Sequence, residues 1–297
     1  MSNLKIRSAA MREAIWGYLM VAPMLLGLGI FFYFSLGTSF FISLTKWDVL
    51  TPPELIGLRN YIYLFNDPTF QKTLWNTVRY ALMVVPFGML VSLTLALALN
   101  TKIRFQKLYR LIYFLPVLTM PVTISIIWKW IYSPDFGPLN QFLHLFGAGR
   151  LLWLSDVHLA MPALVIMGIW MGSGYGMIIF LAGLQNIPRE FYEAAEVDGA
   201  NYWQKQLYIT LPLLTPTIFF NTVTSLISAF QVFDIVYTMT KGGPLDSTRT
   251  MVYTIYDNGF HFFKMGLASA AAWILFVIIL VVTIIQFWSQ KKWVHYS

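Results

Sequence analysis

Six stretches of the chain are almost continuously apolar, and each is near or above the ~20 residues that cross a bilayer as a helix. They lie at roughly 15–40, 78–99, 110–132, 158–184, 212–238 and 267–288. Polar and charged residues collect between them. The pattern predicts an all-α membrane protein with six transmembrane helices, forming one transmembrane domain over 1–297 without internal repeat, low-complexity stretch or linker. The first run follows Lys5, Arg7 and Arg12, as in a signal peptide. It continues to about Phe34 with no small-x-small cleavage pattern before a polar region, and therefore reads as a retained first helix.

Composition changes the picture from "very apolar" to "lipid-solvated". Of 297 residues, 58% are hydrophobic and 11% charged, against roughly 25% charged in soluble domains. So few charges cannot cover a water-facing surface, and a lipid-facing one does not need them. Trp and Tyr, within an aromatic content of 17%, suit belts at the two membrane interfaces. The net charge of +7 points to loops facing anionic lipid rather than to nucleic acid. The absence of cysteine excludes disulfides, cysteine metal sites and cysteine nucleophiles.

Basic residues set the orientation. Lys102, Arg104, Lys107 and Arg110 lie between the second and third spans with no acid among them. Lys291 and Lys292 lie at the C-terminus, and the N-terminal arm has three bases against Glu13. Six spans place these segments on one side, the cytoplasm, with both termini inside. The opposite loops carry mixed charge, such as Lys46, Asp48, Glu54 and Arg59.

One cytoplasmic connection departs from the basic trend. The segment at about 188–211 carries Glu190, Glu193, Glu196 and Asp198 against Arg189 and Lys205. Pro188 suits a helix start. Residues 189–198 are helix formers, and Gly199 suits the left-handed turn that ends a helix. A second helical stretch of about 201–210 leads to Leu211-Pro212. The glutamates recur every three residues as a drifting acidic stripe beside Phe191, Ala194 and Ala195. Such a compact amphipathic helix is either a docking knob for a soluble partner or a solvated connector.

Glu193-Ala-Ala-Glu-Val-Asp-Gly-Ala200, followed by Ile209-Thr-Leu-Pro-Leu-Leu-Thr-Pro216, resembles the EAA loop of binding-protein-dependent ABC importer permeases. Phe114-Leu-Pro116, Trp128-Lys-Trp-Ile-Tyr-Ser-Pro-Asp-Phe-Gly137 and Thr240-Lys-Gly-Gly-Pro244 resemble the sugar and glycerol-phosphate branch of that family, the relatives of the maltose permease. The resemblance covers most of the chain from the second span onward. Gln206 stands where the family often has Phe, which puts the apolar contact of the second short helix in doubt. The family implies half of a type I importer pathway, completed by a second permease. Cytoplasmic ATPase subunits would bind below, and a solute-binding protein would deliver substrate from outside. Carried over residue by residue, Glu193, Ala194, Ala195 and Gly199 are coupling positions, with Glu190 and Asp198 on the same acidic helix. The implied location is the inner or cell membrane of a bacterium or archaeon.

The chain lacks the Gly-x-x-x-x-Gly-Lys-Ser/Thr phosphate loop, so ATP and magnesium are expected on the partner ATPase and no cofactor in this chain. Gly172-Ser-Gly-Tyr-Gly176 resembles a potassium-channel filter, but sits inside a full span rather than in a re-entrant loop. Close helix packing or a substrate-facing stretch explains it better. Trp170 and Tyr175 offer aromatic surface, with Gly172 and Gly176 leaving space; Ser225 and Ser228 lie on one face of the fifth span. These six are the substrate-pathway candidates, with helix packing as the rival role. Asp234 is either an intramembrane functional acid or a solvated interface residue. His144, His158, His261 and His295 have no metal-ligand spacing. A proton-coupled secondary transporter is the alternative function, but would need more buried acids and a larger, often repeated bundle. A channel is opposed by the lack of a filter.

Overall fold

The computed structural model describes residues 2–101, 103–147 and 149–294, with side chains from Met11 onward. Lys102 and His295, and the side chains of Lys5 and Arg7, lie outside the described residues.

Helix α1 (Ser2–Gly27) passes through a π-helical stretch, Leu28–Phe34, into α2 (Ser35–Ser43). Met11–Ser43 is therefore one apolar helix of 33 residues. Its first two thirds lie exposed, and only α2 packs closely, against the last helix of the chain. A two-stranded antiparallel ribbon, β1 (Thr45–Lys46) with β2 (Glu54–Leu55), and the amphipathic α3 (Arg59–Asn66) follow.

The second span, α4 (Pro68–Leu99), starts ten residues before the predicted 78. Asp67 caps it by accepting the Thr69 N–H, and Pro68 occupies its first turn. Lys72 lies in this early part, so apolarity alone placed the start too late.

The third span is broken. Helices α5 (Gln106–Leu118) and α6 (Pro121–Ile131) meet at 101°. Thr119 and Met120 are extended, with ψ of 144° and 130°. Pro121 explains the conformation of Met120, because the residue before proline is driven out of the helical region.

The short α7 (Pro138–His144) leads to α8 (Ala160–Gln185), the most buried span. Its glycines admit neighbouring elements closely. A Cβ on Gly168 would meet the Tyr80 hydroxyl of α4 at 2.5 Å, and one on Gly183 would meet the Thr217 hydroxyl oxygen at 2.5 Å. Gly174 faces the Tyr113 carbonyl of α5. Small residues thus bring helices together where lipid supplies no hydrophobic drive.

The chain continues through α9 (Arg189–Val197), α10 (Tyr202–Lys205), a π-helical stretch at Gln206–Thr210 and α11 (Leu211–Leu213) into α12 (Thr215–Phe230). Residues 231–233 interrupt the fifth span before α13 (Asp234–Met239). The fold ends with α14 (Met251–Tyr256), a π-helical stretch at Asp257–His261, and α15 (Met265–Gln290). Among the described residues, five helical spans are long and apolar enough to cross a membrane, and counting the bent α5–α6 pair makes six.

Candidate functional site

A cavity of about 330 Å³ opens between α4, α8 and α12. Tyr80, Ser92 and Gly88 line it from α4; Gly172, Tyr175 and Gly176 from α8; Asn221, Thr224, Ser225 and Ser228 from α12. Gln231, Phe233 and Asp234 close one side where the fifth span is interrupted. Hydroxyl, amide and aromatic groups thus converge in an otherwise apolar wall, the composition of a small-molecule site.

Five of the six sequence candidates fall on this cavity; Trp170 does not line it. The Trp170 ring packs edge-on against Trp128 of α6, with centroids 5.6 Å apart. The two glycines differ. Gly172 has nothing within 4 Å of an added Cβ, whereas a Cβ on Gly176 would meet Ser92 and Asn221. Gly172 therefore leaves cavity space, and Gly176 serves helix contact at the cavity wall. Ser225 and Asn221 lie one helical turn apart, with the Ser225 hydroxyl 3.5 Å from the amide oxygen.

Asp234 stands in the first turn of α13, exposed and on the cavity lining. It lies just after the helix break at 231–233 rather than in the middle of a continuous span. Sequence reasoning did not select Tyr80, Ser92, Asn221, Thr224 or Gln231. Asn221 carried a readable signal: a polar residue four before Ser225 in an apolar run. The α4 residues carried none, because only packing brings them to α12.

The second candidate surface is the connection between α8 and α12. Pro188 precedes α9 in an extended conformation. At the other end, the Gly199 N–H donates to the Glu196 carbonyl and the Ala200 N–H to the Ala195 carbonyl. With Gly199 at φ 74°, this is a Schellman ending, in which the left-handed residue lets the last amides reach back. Asn201 and Gln204 form a reciprocal capping box that starts α10.

Glu190, Glu193, Ala194, Asp198 and Gly199 are exposed, whereas Ala195 is half-buried. Phe191, Val197, Trp203 and Tyr208 are also exposed, Val197 at 89%. The surface is thus apolar, rimmed by carboxylates. Glu196 instead turns to Lys205, with Nζ to Oε1 at 2.8 Å. The hydrogen bond and charge of Lys205 hold the Glu196 carboxyl below its usual range. Gln206 is half-buried and its amide oxygen has no partner among the described residues.

No group of three or more His, Asp or Glu side chains among the described residues could hold a metal. His261 instead faces Asp257, with Nδ1 to Oδ1 at 3.2 Å.

Residues 85–295 match the model of the binding-protein-dependent transport system inner membrane component family. The chain belongs to this family. The permease is 38% identical over 291 residues to the probable ABC transporter permease protein YesP of Bacillus subtilis, covering 96% of this chain and 94% of the relative. It is 37% identical over 276 residues to the lactose transport system permease protein LacF of Rhizobium radiobacter, covering 91% of each. In fold, the permease is similar to a chain of the bacterial alginate ABC transporter, solved in complex with its alginate pentasaccharide-bound periplasmic protein. That likeness has a TM-score of 0.83 and 24% identity, and covers 96% of both chains.

The permease is thus a multi-pass membrane component of a transport system, and its relatives are transporter subunits rather than enzymes. The family match includes both the α9 connection and most of the cavity; Tyr80 lies just before it.

Proposed function

We propose that this permease forms half of the pathway for a carbohydrate, with the cavity between α4, α8 and α12 as its solute-contacting surface. The observation that carries this reading is the convergence of Tyr175, Asn221, Ser225 and Ser228 on one cavity in an apolar bundle. Hydroxyl and amide groups match sugar hydroxyls, and tyrosine faces match the apolar faces of sugar rings. The similarity to a lactose permease protein supports the same solute class.

In this reading, residues 188–211 are the coupling loop of a single permease domain spanning 1–297. Cytoplasmic ATPase subunits carry ATP and magnesium and seat the exposed apolar and acidic surface of α9. A second permease completes the pathway, and a solute-binding protein delivers the sugar on the other side. Arg104, Lys107, Arg110, Lys291 and Lys292 then face the cytoplasm, with both termini inside, in the cell membrane of a bacterium or archaeon. Nucleic acid has no place in it.

The test is reconstitution of the permease with its ATPase and solute-binding protein in liposomes. The expected result is co-purification and sugar uptake that stops when the ATPase is inactivated. Uptake that persists on an ion gradient alone would reject the reading in favour of a secondary transporter.

A further inference from the structure

The α9 helix has two unlike faces. Glu190, Glu193 and Val197 point outward. Tyr192 and Glu196, four residues apart, share a face that is tied to the chain beyond the Gly199 turn. Tyr192 packs against the buried apolar cluster that includes Leu99, Leu184, Ile187 and Leu214. Its hydroxyl lies 2.9 Å from the Thr210 hydroxyl, and Thr210 is only 1% exposed.

Either hydroxyl can donate in that bond, and the Thr210 hydroxyl also lies within donating distance of the Lys205 carbonyl, at 3.3 Å. The result is a polar chain from α9 through Tyr192 and Thr210 to the backbone at Lys205. It crosses the turn that would otherwise let α9 pivot about Gly199.

The second tie, Lys205 to Glu196, is less able to carry load. The Glu196 side chain is 65% exposed, and exposed ion pairs contribute little and are screened by salt. The shielded hydroxyl pair is the one that keeps its geometry. Thr210 also ends the π-helical stretch that leads through α11 into α12. Two turns beyond α11, α12 presents Asn221 and then Ser225 to the cavity.

We propose that the Tyr192–Thr210 hydroxyl pair is the positioning element that makes α9 and the start of α12 move as one body, so that displacement of α9 reaches the cavity. The proposal rests on the coupling reading of 188–211. Neither residue touches solute or needs to touch the ATPase. Their role is to remove the hinge at Gly199 from the path of transmission.

The experiment uses the whole reconstituted complex in liposomes with its substrate-loaded binding protein, and reads sugar imported per ATP hydrolysed. Tyr192→Phe keeps the ring on its cluster and removes only the hydroxyl. The expected result is a fall in that ratio of about three- to fivefold, the size of one lost hydrogen bond. Thr210→Val should match it, Thr210→Ser should retain the wild-type ratio, and the double variant should be no worse than either single change. A reduced quantity of normally coupled complex would show a purely structural role and overturn the proposal. So would a wild-type ratio in Tyr192→Phe, or additive losses in the double variant. Glu193→Lys separates the two readings. If it uncouples while Tyr192→Phe does not, only the hydroxyl-pair proposal fails; if neither uncouples, the coupling reading of the loop fails with it.

Discussion

Gly176 of α8 sits directly against Ser92 of α4: a Cβ on the glycine would lie 2.5 Å from the serine hydroxyl oxygen and 2.8 Å from its Cβ. The Ser92 side chain cannot swing freely away, because its hydroxyl donates to the Ser173 carbonyl at 3.1 Å. Gly176→Ala should therefore force α4 and α8 apart, an overpacking cost of about 1–3 kcal/mol. The expected outcome is a lower melting temperature of the detergent-solubilised permease. Gly172→Ala, with nothing within 4 Å, should melt as the unaltered protein does. Equal melting of the two variants would contradict the packing.

The cavity assignment predicts a split among the sequence candidates. Tyr175→Ala and Ser225→Ala should each raise the solute concentration for half-maximal uptake by roughly fivefold, the equivalent of about 1 kcal/mol per lost hydrogen bond. Trp170→Ala should leave that concentration unchanged, because its ring meets Trp128 rather than the cavity. Uptake titrations of the reconstituted complex measure all three.

On the α9 surface, Glu193 is exposed, and its replacement by Lys should not affect insertion. Glu193→Lys should lower substrate-stimulated ATPase activity by reversing a charge on the proposed docking face. Gly199→Val should do the same by a different route. The glycine adopts φ 74°, which a β-branched residue resists. Normal stimulation in both variants would reduce the segment to a connector.

Sidedness is checked with single cysteines in a chain that has none of its own. A cysteine at Leu50, which is 91% exposed between the two strands, should react with a membrane-impermeant thiol reagent in intact cells. A cysteine at Lys292 should react only after the membrane is opened. The reverse pattern would invert the proposed orientation.

Arg249 pairs with Asp257 and, at 3.3 Å, with Asp246, while its carbonyl accepts from the Asn76 amide of α4 at 3.0 Å. The Arg249 and Asp257 side chains are only 18% and 12% exposed. Arg249→Met would leave the Asp257 carboxylate largely buried without its cationic guanidinium partner. Destabilisation of up to about 3 kcal/mol is expected, read as a fall in melting temperature. Adding Asp257→Asn should recover part of that loss.

Apolar run length and basic loops were sufficient to read an all-α membrane protein, because the requirement for backbone satisfaction in lipid leaves few other choices. Pro188 and Gly199 made the α9–α10 connection legible, since helix starts and turns depend on local chemistry. The third span misled for an equally local reason: Thr119 to Pro121 breaks a run whose apolarity is continuous. Ser225 and Ser228 were recognisable as one face of a helix. That Tyr80 and Ser92 stand opposite them was not recognisable, since α4 and α12 are far apart in the chain and periodicity records only a helix's own faces. The same holds for Tyr192 and Thr210, 18 residues apart across the Gly199 turn and the change from α- to π-helix. Sequence by itself determined the solvent, the all-α class and the turn chemistry at Gly199. Tertiary structure alone decided which polar groups meet in one cavity and which hydroxyls bridge the loop, because those distances are set by helix packing.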